Sequence, residues 1–328
     1  MRRVRILATG GTIAGRGPSE IDLTYRPGSV PVEALIGSVR DLDRLAEVSG
    51  EQVAQIGSQD MNDARWLELA SRANTLFARD EADGIVVTHG TDSMEETAYF
   101  LHLVVRSDRP VVLTGAMRPA TSLSPDGPLN LFNAVAVAAD PDARGRGAIV
   151  VLNDDLHSAR DVTKAHTSDV QAFVSPGPGL LGTATYGRIR YFRRPSRRHT
   201  TESELSVEGL AELPRVDILY AHAGMSPDLV DASVARSARG LVVAGMGNGN
   251  VTHEALDALA EAVRKGVVVV RSTRLVSGDV GRNFEVEDDA LGFVAADQLN
   301  PQKSRVLLKL CLRRSASPLA VQEAFYRY

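Results

Sequence analysis

Cysteine is almost absent. Cys311 stands alone among 328 residues, so an intrachain disulfide is impossible and a cysteine-built metal cluster is excluded. Positive charge is not in excess either: the formal net charge is −4, which argues against a general nucleic-acid binder. The four arginines at 193, 194, 197 and 198 have no interleaved aromatics and read as a solvated linker. No apolar run approaches the roughly 18 residues that a membrane span needs, so no membrane partner is expected. The opening MRRVRILATGG passes directly from basic residues into a glycine-ended strand. It lacks the apolar core of ~7–15 residues and the cleavage site of a signal peptide. A reducing, cytoplasmic setting is therefore expected, with a secreted or periplasmic one as the alternative if an export signal has been removed. Cofactors and metals are not expected.

What is present is a repeated arrangement. In ILATGGTIAGRG (residues 6–17) and VVTHGTDSMEET (residues 86–97), an apolar strand stops at glycine and delivers a threonine, Thr12 and then Thr91. Open α/β sheets keep their ligands at such strand ends. Short β-branched runs at 3–9, 52–56, 84–88, 110–114 and 148–153 read as strands. Helical periodicity lies between them, with Trp66, Leu67, Leu69, Ala70, Ala73, Leu76 and Phe77 on one face. Asp60 is expected to cap that helix, and Ser93 with Glu96 to form a capping box on the next. Residues 10–31 read as a long binding or lid loop containing Tyr25, and residues 182–192 as a hairpin. Alternation resumes at Val216, with strands at 216–220, 240–244 and 267–271. The fold class is α/β with two domains: a larger N-terminal one at 1–193, whose mostly parallel sheet is flanked by helices, a linker at 194–213, and a smaller C-terminal α/β domain at 214–328.

Several motifs fail on inspection. Gly10 and Gly15 have phosphate-loop spacing, but Arg16 and Gly17 follow where Lys and Ser/Thr are needed. Thr12 occupies the second glycine position of the dinucleotide fingerprint. His89 has no G-x-S-x-G elbow, and His253-Glu254 lacks a second histidine. The acidic runs 154–155 and 287–289 read as solvated and match no calcium loop. Each threonine alone is explained as a cap, while the pair suggests acyl chemistry. A hydroxyl nucleophile needs a base or strong acceptor nearby. Asp92 adjoins Thr91, but spacing does not rank Lys164 against other candidates for that partner.

Taken together, ATGGTIAG (8–15), GSQDMND (57–63), THGTDSMEETA (88–98), GAMRP (115–119), RDVTK (160–164), GMGNGN (245–250) and NPQKSRVLL (300–308) resemble the bacterial L-asparaginase family. The blocks cover nearly the whole chain in the family's order, and the resemblance is to its tetrameric type. It implies hydrolysis of L-asparagine to L-aspartate and ammonia, with glutamine as a second candidate amide. It casts Thr12 as the nucleophile, Tyr25 as the lid residue shaping its hydrogen bonding, and Thr91, Asp92 and Lys164 as a second, proton-transferring cluster. Gly57, Ser58 and Gln59 would hold the substrate α-carboxylate, Asp92 its ammonium, and Ala116 would line the pocket. Backbone N–H groups of the Gly10-Gly11-Thr12 turn are candidates for the oxyanion. Asn250 and Glu285 resemble residues supplied by a neighbouring subunit, implying a homotetramer built as a dimer of dimers. Residues 16–23 match the family poorly, and Thr24 stands where relatives often carry asparagine. Two rivals are an asparagine or aspartate sensor without turnover and the amidase subunit of a tRNA-dependent amidotransferase. The latter usually carries an extra N-terminal domain, whereas the first catalytic strand here begins at residue 3.

Overall fold

Apolar runs without alternation become strands covered on both faces, the usual setting of parallel sheets between helix layers. The run GIVVT, buried at all five positions, is one of them. The computed structural model describes residues 1–21 and 24–328, and the chain divides into two units, Met1–Gly209 and Leu210–Tyr328. The first begins β1 (Arg3–Gly10), α1 (Val32–Ser38), β2 (Glu47–Ile56), α2 (Asp63–Ala78), β3 (Gly84–Thr88) and α3 (Met94–Val104). It continues β4 (Val111–Thr114), α4 (Gly127–Ala139), β5 (Ala148–Leu152), β6 (Asp155–Ser158), β7 (Thr163–Lys164), β8 (Phe173–Val174), β9 (Gly182–Thr185) and β10 (Arg188–Tyr191).

Eight of these strands form one sheet in the order β10-β9-β6-β5-β4-β3-β1-β2. The five from β5 to β2 run parallel, and β6, β9 and β10 extend the sheet antiparallel. After β1 the chain steps outward to β2 and then returns to β3 on the other side of β1. The strand order therefore reverses between β1 and β3, which is where the ends of parallel strands open a crevice. Thr12 follows one of these strands and Thr91 the other. Val4, Ile6, Ala8, Val86, Val112 and Ile149 pack with α1 and α4 in one core. Alternate residues of the same strands, such as Leu7, Ile85, Val87 and Leu113, are buried as well, as a strand's two-sided geometry requires.

The second unit runs β11 (Val216–Tyr220), α5 (Asp228–Ala235), β12 (Gly240–Gly245), α6 (His253–Arg264), β13 (Val268–Thr273), α7 (Asp288–Leu291), β14 (Val294–Ala295), α8 (Pro301–Cys311) and α9 (Pro318–Arg327). Its four strands are all parallel and lie in chain order, so this sheet has no reversal.

Both capping expectations in the first unit are corrected. Asn62, not Asp60, caps α2, accepting from Arg65 N–H at 3.2 Å, while Asp60 closes a short turn over Ser58–Asp60. Ser93 sits at the start of α3, but its hydroxyl donates to Ser58 O at 2.6 Å and makes no cap bond. The capping box is lost because that hydroxyl ties two loops together instead. Residues 194–209, read as linker, lie in the first unit, where His199 and Leu205 are buried. The acidic run at 287–289 is not wholly solvated, since Asp288 is fully buried. Of the poorly matching stretch 16–23, Asp22 and Leu23 lie outside the described residues.

Candidate active site

The first threonine is placed by glycines. Gly10 and Gly11 adopt φ of 110° and 77°, conformations that favour glycine. They turn the chain off β1 into a 3₁₀ turn at Thr12–Ala14. Thr12 is buried, and its Oγ1 lies 2.7 Å from the Tyr25 hydroxyl. Tyr25 reaches it because Gly15 has no side chain: a Cβ there would stand 2.7 Å from the tyrosine ring. The base of this loop is pinned by Gly28 N–H to Gly11 O at 3.0 Å and by Gly17 N–H to Thr121 Oγ1 at 2.8 Å. A cavity of about 510 Å³ opens beside the loop, lined by Arg16, Tyr25, Arg26 and Ser29 among others. Thr12 and Thr91 do not line it.

The second threonine is tied to a lysine 73 residues later. Lys164 comes from the short antiparallel pair β7–β8. Its Nζ donates to Thr91 Oγ1 at 2.9 Å and to Asp92 Oδ1 at 2.6 Å. Thr91 is buried, whereas the Asp92 side chain remains 64% exposed and so keeps an accessible face for a ligand. Asp92 N–H donates to Ser58 Oγ at 3.1 Å, which draws the turn after β2 against the turn after β3.

The two threonine-bearing turns touch through glycine. A Cβ on Gly11 would lie 2.3 Å from Gly90 N, and one on Gly90 would lie 2.6 Å from Ser58 Oγ. Backbone contact this close brings the ends of β2, β1 and β3 into one cluster holding Thr12, Thr91, Asp92 and Ser58. Gln59, exposed, folds back over Gly57. Ala116, expected to line the pocket, is buried in the core with Ile13 and Leu131. The oxyanion expectation is narrowed as well, because Gly11 N–H is already spent on Ile56 O at 2.9 Å. In the second unit, Asn250 Nδ2 donates to the Glu285 carboxylate.

Two features lie behind the Gly90-Thr91 turn. His89, fully buried, has its pKa held down to about 4 by desolvation, against the smaller upward pull of its bond to the Gly90 carbonyl. Trp66 Nε1–H donates to Thr97 Oγ1 at 2.9 Å, and Thr97 lies 2.9 Å from His89 Nε2. His89 Nδ1 lies 2.7 Å from Gly90 O. A neutral ring protonated at Nδ1 satisfies every partner, with Thr97 donating to Nε2 and Nδ1–H donating to Gly90 O. The histidine is thus a strut behind the Gly90-Thr91 turn. Among the described residues, no group of three or more His, Cys, Asp or Glu side chains is disposed to hold a metal. No helix among them is long and apolar enough to cross a membrane.

Comparison with known proteins gives the site its context. The family model described as Asparaginase, N-terminal matches residues 3–197, and that described as Glutaminase/Asparaginase C-terminal domain matches residues 215–325. The chain belongs to the asparaginase family. Within that family it is 50% identical to L-asparaginase 2 of Escherichia coli strain K12, over 99% of this chain and 93% of that protein. It is 48% identical to a Haemophilus influenzae protein named Probable L-asparaginase periplasmic, over 98% of this chain and 92% of the other. Among solved structures it is similar to the Probable Cytoplasmic L-asparaginase from Campylobacter jejuni, with a TM-score of 0.97, 44% identity and full coverage of both chains. An asparaginase-family fold accounts for the position of the threonine cluster, at the reversal of the larger sheet.

Proposed function

We propose that the protein is an L-asparaginase that hydrolyses the side-chain amide of L-asparagine to L-aspartate and ammonia, with glutamine as a second substrate. The observation that carries this reading is the Lys164 Nζ shared between Thr91 and Asp92, set beside the Thr12–Tyr25 hydroxyl pair. Thr12 Oγ attacks the amide carbonyl, and its proton is relayed through the Tyr25 hydroxyl to the amide nitrogen. The C–N bond breaks, ammonia leaves with a proton, and an acyl-threonine remains. Water, activated at Thr91 and Lys164, then cleaves the ester and frees aspartate. A positioned proton-transfer group is worth on the order of 10²–10⁴ in rate, the contribution assigned here to Lys164. Ser58 and Gln59 hold the α-carboxylate, and Asp92 holds the ammonium with its exposed face.

In the same reading, Asn250 and Glu285 complete the site of a neighbouring copy, and the assembly is a homotetramer arranged as a dimer of dimers. A cytoplasmic setting fits the lone, buried Cys311, with a periplasmic one as the alternative. The deciding experiment is ammonia release from asparagine by the purified protein. Turnover abolished by Thr12→Ala supports the assignment. Tight asparagine binding without ammonia would favour a sensor instead.

A further inference from the structure

We propose that the buried ion pair Arg271–Asp288 is a positioning device, holding Asn250 and Glu285 in mutual register from beneath. Its catalytic consequence rests on the shared-site reading above; its structural part does not. Arg271 on β13 and Asp288 on α7 have side chains 1% and 0% exposed. They meet as a two-point fork, Nε to Oδ1 at 2.6 Å and Nη2 to Oδ2 at 2.7 Å. The rest of the guanidinium reaches two further segments: Nη1 donates to Asn248 O at 2.9 Å and Nη2 to Gly281 O at 3.2 Å. Asp288 Oδ2 also accepts Asn283 N–H at 2.8 Å, and Asn248 Oδ1 accepts Gly281 N–H at 2.9 Å.

One side chain therefore joins a rigid strand to the 245–250 turn and to the 281–288 loop. Asn250 lies two residues beyond the first of these anchors, and Glu285 lies between two anchors of the second. Within the loop Val286 packs against the core, whereas Phe284 is 75% exposed and Glu285 is exposed as well, so the segment around Glu285 has little packing of its own. Gly249 belongs to the device: at φ 82° a Cβ would stand 3.1 Å from Arg271 Nη1. A buried ion pair is a poor way to add stability, because desolvation offsets most of the attraction. What a planar fork with five donors supplies is fixed geometry toward several acceptors at once.

The test uses Arg271→Lys, Asp288→Asn and the milder Asn248→Ala, which removes only the acceptor for Gly281 N–H and is expected to fold even where the charge variants do not. Amide hydrogen exchange over residues 281–288 should accelerate by about tenfold or more, and kcat for asparagine should fall several-fold with the unfolding midpoint of Asn248→Ala near wild type. In a Glu285→Ala background, Asn248→Ala should cost little further, because groups acting through one another are not additive. Unchanged exchange over 281–288, or a full additive loss in the double variant, overturns the proposal. If Glu285→Ala alone keeps full turnover, the shared-site reading fails, and the exchange result still decides whether the pair holds the loop.

Discussion

The parallel parts of the two sheets are built from the same kind of buried, β-branched strand, yet they differ in the direction the chain travels. In the N-terminal sheet the order reverses between β1 and β3, and the turns that leave those strands carry Thr12 and Thr91. In the C-terminal sheet, β11 to β14 follow one another without reversal. A reversal sends successive connections to opposite sides and leaves a crevice at the strand ends. A sheet without one has no such gap at its centre and contributes through its loops, as Asn250 and Glu285 illustrate. In this molecule the reversal accompanies the groups proposed to react, and the unidirectional sheet carries the groups proposed to assist.

The comparison breaks most visibly if the reacting groups are removed. Thr12→Ala and Lys164→Met are expected to lower kcat by on the order of 10³-fold or more while the protein still folds and binds aspartate. Steady-state ammonia release with parallel calorimetry checks both halves, and near-wild-type turnover of Thr12→Ala would remove the nucleophile from this sheet. A smaller loss, about tenfold to a hundredfold, is expected for Glu285→Ala, because an assisting group orients rather than reacts. Full activity from a preparation shown by light scattering to be monomeric would end the idea that the two sheets of different copies cooperate.

Acid sharpens the contrast on the side of stability. Two histidines of the first unit, His89 and His199, have lowered pKa values, and burial is the leading cause for each. Above the ordinary histidine pKa of about 6.5, His89 is neutral in folded and unfolded chains alike and adds no pH dependence. As pH falls from there towards about 4, the unfolded chain takes a proton that the folded one refuses, so stability drops. The full effect of this group is about 3 kcal/mol. Urea unfolding of wild type and His89→Gln at pH 7.5 and 4.5 should show the wild type losing more. Equal losses would mean that the buried ring carries no such linkage. The smallest expected effect, about 1 kcal/mol each, is loss of a helix cap in Asn62→Ala or Thr252→Ala. If the units melt separately in calorimetry, each variant should shift a different transition.

Much of the fold was legible because its signals are local. The seven apolar positions read as the buried face of α2 are the seven that the structure buries. Runs ended by glycine gave β1, β3 and β4 within a residue or two, whereas β2 begins at Glu47, five residues before the expected start at 52. The site was legible in part. The threonine turns declared themselves, but Lys164 pairs with Thr91 across 73 residues, and no spacing rule ranks such a partner. Asp288 looked solvated because its neighbours are acidic, although a valine-rich strand carries the arginine that neutralises it. The proposed Gly11 donor failed for a similar reason: its use by Ile56 depends on register with a strand whose bonding residue lies 45 positions away.

The single tryptophan has a practical consequence. Trp66 stacks on Phe100 at 5.3 Å, and its indole N–H begins the run of hydrogen bonds through Thr97 and His89 to the Gly90 carbonyl. The protein thus carries a built-in optical reporter wired to the Thr91 turn. Its emission can follow what happens there when a substrate arrives, with no label attached and no competing indole anywhere else in the chain.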